Sequence, residues 1–442
     1  MPNINIREQE ETLYRVFDAT ENTVLIPLVY ARSFIKGESN TVTYSEVEDI
    51  PGMLFTSVNE FKTRMVGKFV YTDAEGRILD RSYVMAHELL LAGLNVVIKP
   101  ITFDNANSKY HPGEFNTKTI ISEDEIMQLL INSFSRGALE EFKDRNLFNI
   151  KFITSGGYAN KGLLTANGDT SLALDTKLVE IAEKRGDSIA LIELREMFSS
   201  KTELLNELKD INPTTSYKYA ACFFPWCKFT TSVGGVADEY NMPASFAYLK
   251  AYANSVSKNA NWFAASGVMR GEIPNLVTPS FEVGESLMHV LQGDLPYDGS
   301  SYLSLRINPI YNAGTYGYRI WGNKVFDPTN SAAKSMYMDF LNVRILLCDI
   351  KKQTFHAAMR TTFEPNDDIV WINFKGLVNT LLERMVSGRG LHWYKWTKQK
   401  ADDKAVIKAT LTIKPIEAVE SFDINIVLTE DETVLTEQGS AV

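Results

Sequence analysis

Apolar positions recur along the chain with two periods, about two and about 3.6 residues, and these predict strands alternating with helices. Val24-Leu25-Ile26-Pro27-Leu28-Val29-Tyr30 is continuously apolar, as expected of a buried strand, and the turn Lys36-Gly37-Glu38-Ser39-Asn40 closes it. Helical spacing over 58–67 ends at Gly67. A second helix over 82–91 stops at Gly93 and feeds a strand over 94–101, a unit typical of layered α/β domains. Ser122 followed by Glu123, Asp124 and Glu125 predicts a helix start, with acids placed to suit the helix dipole, and the helix runs to about Ser135. Strands are expected over 150–154, 188–194 and 219–224, with a helix over 171–184 between the first two. Such alternation favours a largely parallel sheet covered by helices.

Farther along, 243–257 reads as a helix, 308–321 as glycine- and aromatic-rich irregular structure, and 331–351 as a long amphipathic helix. Another helix over 370–385 follows the break at Glu364-Pro365-Asn366-Asp367-Asp368 and is stopped by Ser387-Gly388-Arg389-Gly390. Strict alternation over 405–415 and 421–429 predicts two half-buried strands, and the acidic remainder is expected to be a mobile tail. The first 23 residues alternate weakly and form an extended arm too short to bury a core. Terminal strands without a nearby partner are exposed edges, which proteins suppress unless they are used. Donation to a neighbouring copy is the physical use, and heterologous contacts of that kind build rings or helical filaments.

The length of 442 residues allows two or three domains, and 45% hydrophobic with 23% charged residues is ordinary globular composition. With 45 Lys and Arg against 55 Asp and Glu the net charge is −10, which argues against a protein that coats duplex nucleic acid. Cys222, Cys227 and Cys348 are too few for a disulfide framework and are expected to be buried thiols of a protein made in a reducing compartment. The opening residues lack the apolar core of a signal peptide, so export by the general secretory route is not expected. The most apolar stretch, 84–101, is interrupted by His87, Glu88, Gly93 and Lys99 and falls short of the roughly 20 residues a membrane span needs.

Signatures of catalysis are near-misses. His87-Glu88 has Leu91 where a zinc helix needs a second histidine, and it reads as a helix surface pair. Gly284-Glu285-Ser286-Leu287-Met288 places Met288 where a nucleophile elbow needs glycine. No phosphate-cradling glycine loop occurs, and His87, His111, His289, His356 and His392 lack metal spacing. Asp367-Asp368 reads as a solvated helix start and Asp402-Asp403 as a hairpin turn. Trp393-Tyr394-Lys395-Trp396, with Arg389, Lys398 and Lys400, could stack bases, but core or subunit packing fits its context better. No catalytic, cofactor or metal residues are assigned.

Taken in order, several segments resemble the tail sheath proteins of contractile phages and related injection systems. Thr56-Ser57-Val58-Asn59-Glu60-Phe61 leading to Gly67, then Leu91-Ala92-Gly93-Leu94-Asn95-Val96-Val97-Ile98, are similar to the family's early motifs. Ile181-Ala182-Glu183-Lys184-Arg185, Ala190-Leu191-Ile192, Phe223-Phe224-Pro225-Trp226 and Asn241-Met242-Pro243-Ala244-Ser245 resemble its middle portion. The C-terminal likeness is carried by Ile307-Asn308-Pro309-Ile310, Tyr318-Arg319-Ile320-Trp321-Gly322, 337–344 ending in Val343-Arg344, Phe363-Glu364-Pro365-Asn366, and 381–390. The family's proline-glycine opening is missing, and Lys324-Val325 stands where an Arg-Thr pair often follows.

The resemblance implies a structural subunit, not an enzyme, with an α/β (α+β) layered sheath-type core. That core is built from N- and C-terminal parts, with an inserted outer α/β domain and extended terminal strands. The expected divisions are a linking arm over 1–23, outer α/β domains over 24–300, an inner domain over 301–415, and a linking strand with acidic tail over 416–442. Implied partners are further copies in stacked helical rings, an inner tail tube protein, and baseplate and tail terminator proteins, with no cofactor, no direct nucleic acid and no membrane insertion. The implied location is a virion tail assembled in the host cytoplasm. Ile4, Ile6, Tyr14 and Val16 are the candidates for one linking strand, and Phe422, Ile424, Ile426 and Leu428 for the other. Arg344, Lys351 and Lys352 are candidates for a face toward the tube. Another viral shell component, such as a capsid subunit, and an α/β enzyme with a dispersed site are the alternatives.

Overall fold

A computed structural model describes residues 18–30, 51–65, 81–102, 130, 137–158, 174–209, 217–231, 233, 238–326, 337–399, 406–416 and 418. Its main sheet has eight strands: β1 (Thr23–Tyr30), β2 (Met53–Phe55), β3 (Asn95–Thr102), β4 (Phe152–Ile153), β5 (Ile189–Glu193), β6 (Ala220–Phe224), β10 (Asn308–Asn312) and β11 (Tyr318–Ile320). They lie in the order β11-β10-β6-β5-β4-β1-β3-β2. The six inner strands run parallel, and antiparallel β11 and β2 close the two ends. The expected parallel sheet is therefore present, with β5 and β6 buried at every position.

Alternate residues of each strand enter different cores, as a period of two requires. Leu25, Val97, Ile153, Ile192 and Cys222 face α3 (Leu174–Arg185), α4 (Lys201–Lys209) and α7 (Glu285–Gln292). Val24, Ile26, Val96, Phe152, Leu191 and Phe223 face α1 (Val58–Met65), α2 (Arg81–Leu91) and α5 (Ala244–Val256). A short helix α6 (Gly267–Arg270) and a three-stranded antiparallel sheet, β7 (Cys227–Thr231), β8 (Asp238–Met242) and β9 (Leu276–Pro279), complete this side.

Two long helices follow, α8 (Leu341–Thr361) and α9 (Asp368–Ser387), and then the hairpin β12 (Leu391–Gln399) and β13 (Lys408–Pro415). The start of α8 belongs to the sheet's core through Leu341, Ile345 and Cys348. Leu346, Ile350 and Ala357 of the same helix join Val378, Leu381, Leu382 and Met385 of α9 in a third core. At about 1.5 Å per residue the helix is roughly 30 Å long, enough to bridge both. Among the described residues no helix is long and apolar enough to cross a membrane.

Several expectations change. The stretch 308–321 is not irregular: β10 and β11 form a hairpin through a 3-10 turn at Gly314–Tyr316, with Gly317 at φ 71°. The long helix starts at Leu341, later than the pattern placed it, because Phe340 has extended backbone there. The main sheet draws strands from both sides of residue 300, since β10 pairs with β6. Strands β7, β8, β9 and β12 and helices α4 and α7 were not foreseen. The predicted strand over 421–429 and nearly all of the helix over 122–135 lie outside the described residues.

Candidate assembly interface

The turn between α9 and β12 fixes how the hairpin sits. Asp367 caps α9, its Oδ1 accepting from the amides of Ile369 and Val370 at 2.9 and 3.0 Å, which agrees with the helix-start reading. At the other end Arg389 adopts φ 61°, and a Cβ on Gly388 or Gly390 would come within 2.6 or 2.8 Å of the Trp262 ring. That close approach explains the two glycines. The Trp262 indole N–H donates to the Gly388 carbonyl at 2.9 Å.

On the hairpin itself, Tyr394, Trp396, Leu411 and Ile413 pack against the α8–α9 core. Trp396 meets Trp371 and Phe374 edge-on, with centroids 5.7 and 5.8 Å away, and donates to Asn379 Oδ1 at 2.9 Å. Core packing is therefore the role of Trp396, while Trp393 stays 46% exposed on the opposite face. Among the described residues β12 pairs only with β13, so neither outer edge of this two-stranded sheet has a partner strand among them.

Both chain ends root in the same block. Ala19, just before β1, belongs to the α8–α9 core, and the Ile416 amide donates to the Gly390 carbonyl at 3.1 Å. The candidate linking residues Ile4, Ile6, Tyr14, Val16, Phe422, Ile424, Ile426 and Leu428 lie outside the described residues.

A buried polar network ties α8 to the sheet. Asp349 and Lys151 are both fully enclosed and 3.0 Å apart. Asn261 donates to Asp349 Oδ2 at 2.7 Å, and Lys151 donates to the Thr20 carbonyl at 3.1 Å and to Asn22 Oδ1 at 3.0 Å. Burial pushes the Asp349 carboxyl up, opposed by the charges of Lys151 and Lys352. Lys352, also buried, donates to the Ile150 carbonyl at 2.7 Å, and burial pulls its ammonium down to about 8.

Two of the three residues expected to face the tube are withdrawn from the surface of the folded chain. Arg344 is buried, its guanidinium 5.3 Å from the Tyr219 ring and its Nε donating to the Met338 carbonyl at 2.9 Å. Lys352 is equally withdrawn, so of the three only Lys351 is exposed. The expected surface pair His87-Glu88 is also buried. Burial opposes ionisation of Glu88, but the His87 ring nitrogen 3.5 Å away, the Lys250 ammonium at 3.0 Å and a hydrogen bond from Thr231 outweigh it and hold the carboxyl at about 2. Ser286, the position an elbow would strain, lies inside the regular helix α7 and has no positive φ, so no strained elbow forms there. All three cysteines are buried free thiols, as expected, and burial pushes the Cys348 thiol up to about 12. Among the described residues no three His, Cys, Asp or Glu side chains gather as a metal site.

No family model matches the chain, and no curated protein matches it. Solved structures do. A chain of the anti-feeding prophage baseplate in its contracted state superposes with a TM-score of 0.61 at 15% identity, over 98% of this chain and 99% of its own. The contracted sheath complex of the extracellular contractile injection system PVC gives 0.57 at 14% identity over 98% of each chain. The contracted helical sheath of the anti-feeding prophage gives 0.55 at 14% identity, over 97% of this chain and 99% of its own. The mixed α/β architecture, followed from end to end, is thus the fold of the sheath proteins of contractile injection systems.

Proposed function

We propose that this chain is a non-enzymatic sheath subunit that polymerises helically around an inner tube and contracts to drive that tube through a cell envelope. The observation that carries the reading is the end-to-end match to chains of contracted sheath complexes. The open-edged β12–β13 hairpin supplies a physical route: each edge can accept an extended strand, 4–16 from one neighbour and 422–428 from another. Because both chain ends root beside that hairpin, the links hold copies together while the rigid sheet bodies rotate and repack.

Its partners on this reading are further copies, the inner tube, the baseplate and a terminator protein, within a tail structure assembled in the producing cell's cytoplasm. Lys351 is the remaining candidate for contact with the tube. Negative-stain microscopy of the full chain beside a variant truncated before Ser421 tests the proposal. Long hollow tubes from the full chain that vanish on truncation are expected. Monodisperse monomers from both would overturn it, and closed shells would point to a capsid-like component.

A further inference from the structure

The hairpin has a second surface that strand pairing at its edges leaves uncovered. In β12 and β13 the pairs Trp393 with Lys414, Lys395 with Thr412, Thr397 with Thr410 and Gln399 with Lys408 share one face. All eight residues are exposed, whereas the opposite face packs on α9. That outer face carries three lysines, a tryptophan and no acid. Among the described residues Lys395, Lys408 and Lys414 have no ion-pair partner, while Lys398 on the other face reaches Asp368 at 3.1 Å.

The charge is local and the rest of the chain opposes it. Residues 389–416 hold seven Lys and Arg against two Asp, in a protein whose net charge is −10. The chain that follows, 417–442, holds seven acids and no Lys or Arg. Four of them, Glu430, Asp431, Glu432 and Glu437, lie just beyond the expected linking strand over 421–429. If that strand pairs along a neighbour's hairpin, the acids that follow arrive beside the same hairpin's lysines.

We propose that the outer face of β12–β13 docks the acidic segment 430–437 of a neighbouring copy, so that electrostatic attraction reinforces strand exchange and makes assembly salt-sensitive. The inference rests on the sheath reading for its neighbour but not for its chemistry. Exposed ion pairs are individually weak and screened by salt, so a cluster of three or four sets a roughly tenfold effect that fades as ionic strength rises.

The test has two arms. In the first, full-length chains bearing K395E/K408E/K414E, or E430K/D431K/E432K/E437K, or both sets together, are assembled across a salt series and followed by sedimentation. Each single set is expected to raise the concentration needed for assembly roughly tenfold at low salt and to flatten the salt dependence, and the combined chain is expected to recover. Assembly unchanged in either reversed chain would overturn the docking while leaving the sheath reading intact.

The second arm needs no assembly: a labelled peptide of residues 429–442 is titrated into full-length chain whose own four acids are Gln or Asn. Binding weakened roughly tenfold by K395E/K408E/K414E supports the face as the site, even if no tubes form and the sheath reading falls. Binding indifferent to that reversal overturns the inference. Carboxyl-to-lysine crosslinking of mixed light and heavy chains locates the source of the tail. Hybrid-mass crosslinks support a neighbouring copy, and same-chain crosslinks alone would overturn it.

Discussion

Two carboxyls, Asp175 in the first turn of α3 and Glu193 at the end of β5, are both buried. Burial raises Asp175 to about 8, and burial together with the Asp175 charge holds Glu193 well above the ordinary range, against a hydrogen bond from Ser245. Each therefore keeps its proton in the folded chain at pH values where the unfolded chain has lost it. The stability Asp175 confers is complete below about pH 4 and is lost as pH rises toward about 8, and Glu193 adds a loss of the same sign. The wild type should lose up to about 1.4 kcal/mol per pH unit for each such group across that window. Asp175→Asn should make the decline shallower. Urea midpoints from pH 5 to 9 measure this, and equal slopes for both proteins would refute the assignment.

At the scale of elements, the hairpin is held to α9 mainly by Trp396 between Trp371 and Phe374. Trp396 is half-buried, so Trp396→Ala should cost about 2 kcal/mol, less than for a fully enclosed tryptophan. The α8–α9 core is separate from the two cores of the main sheet. Amide exchange should therefore accelerate in 391–399 and 408–415 while β1, β3 and β5 keep their protection. Uniform acceleration would mean that the hairpin and the sheet unfold as one unit. The strand β13 was legible because Lys408, Thr410, Thr412 and Lys414 alternate with Ala409, Leu411 and Ile413. Its partner β12 was not, because in Leu391-His392-Trp393-Tyr394-Lys395-Trp396 aromatic residues occupy both faces and hide the period.

Across the whole molecule, α8 joins the sheet to the block from which both chain ends depart, and Lys151 with Asp349 pins it there. Asp349→Ala leaves Lys151 without its buried counter-charge, while Lys352 keeps Asp187 nearby, and should cost about 3–5 kcal/mol in urea unfolding. The double variant Lys151→Met/Asp349→Leu should recover much of that loss, since apolar replacement of a buried pair is often neutral. Strictly additive losses would show that the two groups do not act as a pair.

Local features of the chain were enough to determine local structure. The continuous apolar run over 24–30 marked β1 as a buried strand, 188–194 and 219–224 marked β5 and β6 as strands, Asp367 marked the start of α9, and the small number of cysteines marked them as core thiols. Periodicity reports which way neighbouring side chains point, and that information travels with a few residues. Partners far away in sequence decided the rest. β10 finds its place beside β6, Glu88 meets Lys250, and Lys151 meets Asp349 across some 200 residues. Arg344 and Lys352, polar positions on an amphipathic helix, read as surface until the sheet and its loops close over them. Packing enclosed those charges because carbonyls, a carboxylate and a tyrosine ring were there to receive them, a condition that only the tertiary structure meets.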